Sequence, residues 1–355
     1  MKVGIIGLPQ TGKLTLFQIL TGNPGPVGGV TKPLPGTADI VDSRFDTLVD
    51  MYEPKKNVHA RIDLVLLPKM EQESIAKGNI FKDIADTDAI CHVVRAFEDE
   101  SVYHVDGSVN PIRDIDMVNS ELIMHDLIFI EKRVEKLEVS IKKIKDETQA
   151  VELELLLKLK SHLEDEKPLR LLEITQDEEK LIRSYPFITR KQMVIVLNIL
   201  EDDIADTDLI DSLQERCETG KMEIMQVSAQ VESEIAMLDT EEEKEEFRND
   251  LGIKEPALEK LAGLCLKALG LMSFFTVGKD EVRQWLLRRD SYAPEAAGVI
   301  HSDLQRGFIR AEVFTYDDLI EHGDEAELKK AGKIHVNGKE YVVQDGDILN
   351  IRFKV

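Results

Sequence analysis

Apolar and polar positions fall in short blocks along this chain, and the period of the pattern changes as the chain proceeds. Lys2-Val3-Gly4-Ile5-Ile6-Gly7 is a brief apolar run that meets a Gly/Pro turn, and Leu14 to Leu20 then follows helical spacing. A buried-type strand, a glycine-rich turn and a helix form the usual opening of an α/β domain. Residues 22–37 are dense in Gly and Pro and predict a long loop. Further strand-like runs at 60–67, 89–95, 193–198 and 223–228, with helical patterns between several of them, predict a doubly wound, mostly parallel sheet. From 116 to about 165 this alternation breaks. Ile130, Val134, Leu137, Ile141 and Ile144 recur at spacings of four and three, a heptad seam. A polar stretch at 145–149 interrupts it, and Val151, Leu155, Leu159 and Leu163 continue an apolar helix as far as Pro168. Two such helices in succession predict an antiparallel helical hairpin inserted into the α/β domain. Beyond 273, short β-like runs at 274–277, 308–314, 340–343 and 348–353 surround Asp345-Gly346-Asp347, which predicts a hairpin turn in a separate α+β domain.

Composition narrows the class. The chain has 355 residues, enough for two or three domains and a sizeable core. Its net charge of −23 argues against a DNA-binding protein held by overall charge, though not against a local basic patch. The three cysteines, Cys91, Cys217 and Cys265, are too few and scattered for a disulfide framework or a zinc site. No apolar run approaches the roughly 18 residues of a membrane span, and the chain opens on a strand rather than a leader. The expectation is an acidic cytoplasmic protein without a membrane partner. Residues 232–250 hold nine Asp/Glu against Lys244 and Arg248 and read as a solvated face. Between 130 and 160, by contrast, eight basic residues face seven acidic ones, and Lys142, Lys143 and Lys145 cluster near the hairpin tip. That makes the tip a candidate point of approach to RNA, set against the reading of an ordinary charged coiled-coil surface.

The candidate chemistry is a phosphate loop. Gly7-Leu8-Pro9-Gln10-Thr11-Gly12-Lys13 fits the first seven places of G-x-x-x-x-G-K-[ST], with a strand before it and a helix after it. In such a loop backbone N–H groups curl around phosphate oxygens, the helix offers its positive end, and Lys13 neutralises charge on the tail. The eighth place departs from the pattern. Leu14 has no oxygen to give Mg²⁺, and Thr15, one residue on, is turned about 100° away on the helix. A weakened Mg²⁺ site follows.

With this loop in place the chain resembles the YchF subfamily of Obg-type P-loop GTPases over nearly its whole length. The resemblance is carried by Gly7–Lys13, by residues 87–98 (Thr87 to Glu98), by the stretches 296–301 and 307–313, and by Val343-Gln344-Asp345-Gly346-Asp347. It implies a P-loop NTPase domain over 1–115 and 180–272, a coiled-coil insertion over 116–179, and a TGS-type β-grasp domain over 273–355. It also implies binding of ATP in preference to GTP, slow hydrolysis, and association with ribosomes. Asn198-Ile199-Leu200-Glu201 looks like the family's N-x-x-E base motif, in place of the Asn-Lys-x-Asp clamp that reads guanine. Asn198 and Glu201 would then contact the base, or else be a strand-end turn residue and a solvated charge. Ser228-Ala229 looks like the second base-contact loop. Asp63 should begin D-x-x-G and reach the metal through water, but the motif runs Asp63-Leu64-Val65-Leu66, and Leu66 hinders the approach that glycine allows. The glycine-rich switch becomes 67–74, from Leu67-Pro68-Lys69 onward, and Thr31 matches the switch-one threonine only across a gap.

Other chemistries find little support. The histidines show no zinc-type spacing, no G-x-S-x-G elbow exists, and Cys91 and His92 lie in a strand expected to be core. No residue is identified for activating water. Two readings remain: a slow or impaired YchF-type ATPase, for which GTP is a possible second ligand, and a non-catalytic module that docks on ribosome or RNA through the hairpin and the β-grasp domain.

Overall fold

The computed structural model describes residues 1–26, 29–71, 75, 78–102, 104, 107–143, 146–253 and 255–354. They form two compact units, Met1–Thr37 with Asp63–Ala257, and Ala38–Ile62 with Leu258–Val355.

The first unit is the α/β domain. Strands β1 (Lys2–Ile6), β2 (Leu34–Asp39), β4 (Arg61–Leu66), β5 (Ala89–Arg95), β6 (Met193–Asn198) and β7 (Met222–Val227) form a sheet in the order β2-β4-β1-β5-β6-β7. From β4 to β7 all neighbours run parallel. Every residue of β5 and β6 is buried, as expected of central strands covered on both faces, which is why they read as unbroken apolar runs. Helices α1 (Lys13–Thr21), α3 (Asn79–Ala85), α7 (Asp208–Thr219), α8 (Ala229–Ala236) and α9 (Glu241–Asp250) complete the domain around this sheet.

The insertion is a helical hairpin of α4 (Pro111–Lys143) and α5 (Glu147–Glu164), followed by α6 (Gln176–Ile182). At 1.5 Å per residue α4 is about 50 Å long. Ile130, Val134 and Leu137 of the predicted seam are buried against Leu155, Leu159 and Leu163, and Ile141 packs at the edge. Ile144 and Lys145 lie outside the described residues. Val151 departs from the predicted seam: it is 53% exposed, and its neighbour Glu152 takes the buried place at that level. The polar stretch is not a simple break, because Asp146 caps α5 by accepting from Thr148 N–H. At the base of the hairpin, wholly buried Asp126 accepts hydrogen bonds from Ile188 N, Thr189 N and Thr189 Oγ1, tying α4 to the segment that leads into β6.

The second unit contains α2 (Ser43–Tyr52), β3 (Asn57–Val58), α10 (Ala257–Ala268), β8 (Leu271–Thr276), β9 (Val282–Arg288), α11 (Ala293–Ile300), α12 (Ser302–Arg306), β10 (Phe308–Thr315), α13 (Tyr316–His322), α14 (Glu325–Lys330), β11 (His335–Asn337) and β12 (Asp347–Phe353). Its sheet runs β11-β10-β12-β8-β9-β3 and is mixed, with β12 parallel to β8 and antiparallel to β10. Ala293, Ala296 and Ala297 let α11 pack closely on it. Three points differ from the sequence reading, the first being that this unit takes up the chain at Leu258 rather than 273. Residues 38–62 cluster with this unit, Phe45 and Leu48 sharing a core with Phe275, Val282 and Phe314. The stretch 340–343 is not a strand, so Asp345-Gly346 is not a hairpin turn. It is a tight turn entering β12, in which Asp347 accepts from Gln344 N and Tyr341 Oη.

Candidate nucleotide-binding site

The loop between β1 and α1 has the geometry its glycines foretell. Gly12 has φ 84°, and a Cβ there would collide with Asn198 Nδ2. Thr11 Oγ1 donates to Leu8 O at 3.3 Å, and Gln10 takes the left-handed region at φ 58°. Lys13 folds back so that Nζ donates to Gly7 O at 2.7 Å. Its ammonium is buried, and its pKa is lowered to about 7, first by desolvation, then by the charge of Lys69, with Glu71 acting in the opposite direction. His92, behind the loop on β5, is 1% exposed and held neutral by burial and by Lys13, in keeping with a core residue.

Asn198, at the end of β6, joins the parts. Its Nδ2 donates to Thr11 O at 3.1 Å and its Oδ1 accepts from Ala229 N at 3.0 Å. Buried Ser228 caps α8, its Oγ accepting from Val231 N. Beside this brace opens a cavity of about 390 Å³ whose wall includes Gly12, Thr15, Phe97, Asn198, Leu200 and Ala229. Glu201 is not on that wall; it is exposed in the turn beyond, where Ile204 N donates to its carbonyl at 3.1 Å. The acidic side chains that do border the cavity are Asp99 and Glu234. The sequence reading missed the residue that shapes the opposite wall. Arg95 is 2% exposed, donates to the carbonyls of Phe97, Asp99 and Val102, and lies 4.6 Å from the Phe97 ring centroid. An arginine closing an otherwise apolar buried strand was the available signal.

The metal positions come out differently from the expectation. Lys2 pairs with Asp63 and Ile5 with Leu66, so Asp63 lies at the far end of the sheet from Gly7. At about 3.3 Å per residue that is about 16 Å along the strands. Its carboxylate is exposed and faces the Met1 amino group at 3.8 Å. Asp63 therefore cannot serve a cation at the loop. Leu66 is likewise a fully buried sheet residue level with Ile5, not a γ-phosphate contact. The residues that reach the loop come after it: Leu67 N donates to Ile5 O at 3.0 Å and Met70 N to Gly7 O at 3.1 Å. Residues 72–74 of the predicted switch lie outside the described residues. Leu14 Cδ1 would lie 2.8 Å from a Cβ built on Gly25, so the loop after α1 packs on the Leu14 side chain. Thr31 is exposed in the bend before β2. Among the described residues no group of three His, Cys, Asp or Glu is placed to hold a metal. Leu14 leaves the Mg²⁺ expected of a phosphate loop without the hydroxyl that normally helps to hold it, and Asp63 lies too far away to serve it.

Comparison with known proteins agrees with this architecture. Residues 271–354 match the YchF-GTPase_C family model, described as a protein of unknown function (DUF933). The chain is 40% identical over 366 residues to a Bacillus subtilis protein named ribosome-binding ATPase YchF, all of both chains being covered. It is 35% identical to the Obg-like ATPase 1 of Caenorhabditis elegans, with 99% of this chain and 92% of that one covered. The structure of the Schizosaccharomyces pombe YchF GTPase matches with a TM-score of 0.82 at 30% identity, covering 99% of this chain and 97% of that one. A phosphate loop, an inserted helical hairpin, the C-terminal domain and full-length identity at this level together make this chain a member of the YchF family of P-loop nucleotide-binding proteins.

Proposed function

We propose that the protein binds a purine nucleoside phosphate at Gly7–Lys13, prefers ATP to GTP, hydrolyses it slowly or not at all, and acts on the ribosome. The observation that carries the binding claim is the brace: Asn198 holds Thr11 O and Ala229 N at once, which fixes the loop against the cavity that would take the base. Preorganised backbone donors at a helix N-terminus need no further ordering to meet a phosphate tail. The base preference is supported by Ile199, buried where a guanine clamp would place lysine, and by Glu201 lying outside the cavity. Slow hydrolysis is supported by the poor fit of the metal, whose charge normally offsets that of the transferring phosphoryl group. Ribosome association rests on the names of the relatives and on the exposed Lys142 and Lys143 at the end of α4. Calorimetric titration with ATP, ADP and GTP tests the ligand. Single-turnover hydrolysis with saturating protein separates a slow ATPase from the second reading, a docking module for which nucleotide is only a structural ligand. Leu14 favours that second reading.

A further inference from the structure

Among the described residues around the phosphate loop, Leu14 stands where the motif has a hydroxyl, Asp63 lies at the far end of its strand, and a lysine follows β4 beside the loop. β4 ends at Leu66, and the chain then crosses to the loop, where Met70 N donates to Gly7 O. Lys69 immediately precedes that anchor. Its Nζ lies 3.0 Å from Glu71 Oε2, and its side chain is 55% exposed. The same Gly7 carbonyl accepts from Lys13 Nζ. One lysine is thus buried beneath the loop with its ammonium on Gly7 O, and a second immediately precedes the backbone anchor to that same carbonyl. The pKa of Lys13 is lowered first by burial and then by the charge of Lys69, in keeping with two ammonium groups near each other.

We propose that Lys69 takes the place of the divalent cation at this site, so that the protein binds the metal-free nucleotide. The inference rests on the nucleotide-binding reading above and adds how the phosphate charge is met. A triphosphate tail needs positive charge wherever water is excluded, and Mg²⁺ supplies it in ordinary phosphate loops. Here Leu14 brings no oxygen to the place where the motif has a hydroxyl, while Lys69, paired with Glu71 beside the loop, would be the cation that meets the terminal phosphate oxygens. Lysine acts as a compact point charge with three donors and requires no fixed coordination geometry. Mg²⁺ in solution would compete with Lys69 for the same oxygens, so the metal should not assist binding. Glu71 opposes the arrangement, because its carboxylate must release the ammonium and then lies near a phosphate.

The test is titration of ATP into the full chain in EDTA and again in excess Mg²⁺. Wild type should bind at least as tightly in EDTA as in Mg²⁺. Lys69→Ala should weaken binding in EDTA by about tenfold or more, Lys69→Arg should largely restore it, and Glu71→Gln should tighten it. Lys69 is half exposed, so its replacement leaves the fold intact, and circular dichroism of each variant verifies that. Binding at least about tenfold weaker in EDTA than in Mg²⁺ overturns the inference while leaving the nucleotide reading standing. Equal affinity of wild type and Lys69→Ala in EDTA overturns it as well. No binding of ATP, ADP or GTP under either condition overturns the nucleotide reading itself.

Discussion

Lys13 is the residue on which the site's electrostatics turn. Burial and Lys69 bring its pKa down to about 7, so in the free protein it is charged below that pH and loses its proton above it. A bound phosphate favours the charged form and raises the pKa again. Nucleotide binding above pH 7 should therefore take up a proton, and affinity should fall as pH rises through 7, by up to about tenfold per unit. Calorimetry from about pH 6.5 to 8.5 in buffers of different ionisation heat reads this directly; a flat affinity and a buffer-independent heat would contradict it. Some of this chemistry was legible in the sequence and some was not. Gly7, Gly12 and Lys13 stand at phosphate-loop spacing between a predicted strand and a predicted helix, so the loop could be placed from the letters alone. Asp63 could not be placed correctly. A period-two run shows that a strand exists but not which of its residues stands level with the loop, and that register is set by pairing with β1, far away in sequence. Leu66, assigned to the γ-phosphate on the same reasoning, moved into the core with it, and Lys69 took the position beside the loop.

At the scale of the element, Arg95 organises the turn from 96 to 102 by donating to three of its carbonyls. Arg95→Ala leaves those oxygens without a charged donor and opens a cavity at the end of β5. The expected cost is about 2–4 kcal/mol of stability, read as a lowered denaturation midpoint, together with weaker nucleotide binding because Phe97 and Val102 lose their support. A variant as stable as wild type would show that the turn does not depend on the guanidinium. The hairpin offers a paired comparison. Leu159 is 1% exposed and should cost about 2–5 kcal/mol when cut to alanine, whereas Val151, more than half exposed, should cost less than about 1. Equal losses at the two positions would mean the seam runs differently. Heptad spacing made this hairpin visible, yet it misjudged Val151, because the first turn of α5 begins only at Glu147 and its inner face is set by the cap at Asp146. The same limit applies at 340–343. Glu340-Tyr341-Val342-Val343 has β-type residues, but Asp347 accepts from Tyr341 Oη and Gln344 N and so holds the segment as a loop.

For the whole molecule, the chain's net charge of −23 makes a broad electrostatic attraction to ribosomal RNA implausible. Binding to the ribosome would have to be local, and Lys142 and Lys143, exposed at the end of α4, are where the hairpin presents positive charge. Reversing both to Glu should reduce co-sedimentation with ribosomes by about tenfold and make the residual binding less sensitive to salt, with nucleotide affinity unchanged. Unaltered co-sedimentation would move the contact elsewhere. The α/β architecture was readable because unbroken apolar strands alternate with helices. The attachment of residues 38–62 to the C-terminal unit was not, since the contacts of Phe45 and Leu48 with Phe275 and Phe314 join segments more than 200 residues apart. The proposed activity depends on nucleotide occupying the loop built by Gly7–Lys13. The most direct measurement is calorimetric titration of ATP into wild type and Lys13→Ala at neutral pH. Binding by wild type that weakens at least tenfold in the variant, about 1.4 kcal/mol, is the predicted result; equal affinity in the two proteins would contradict the account.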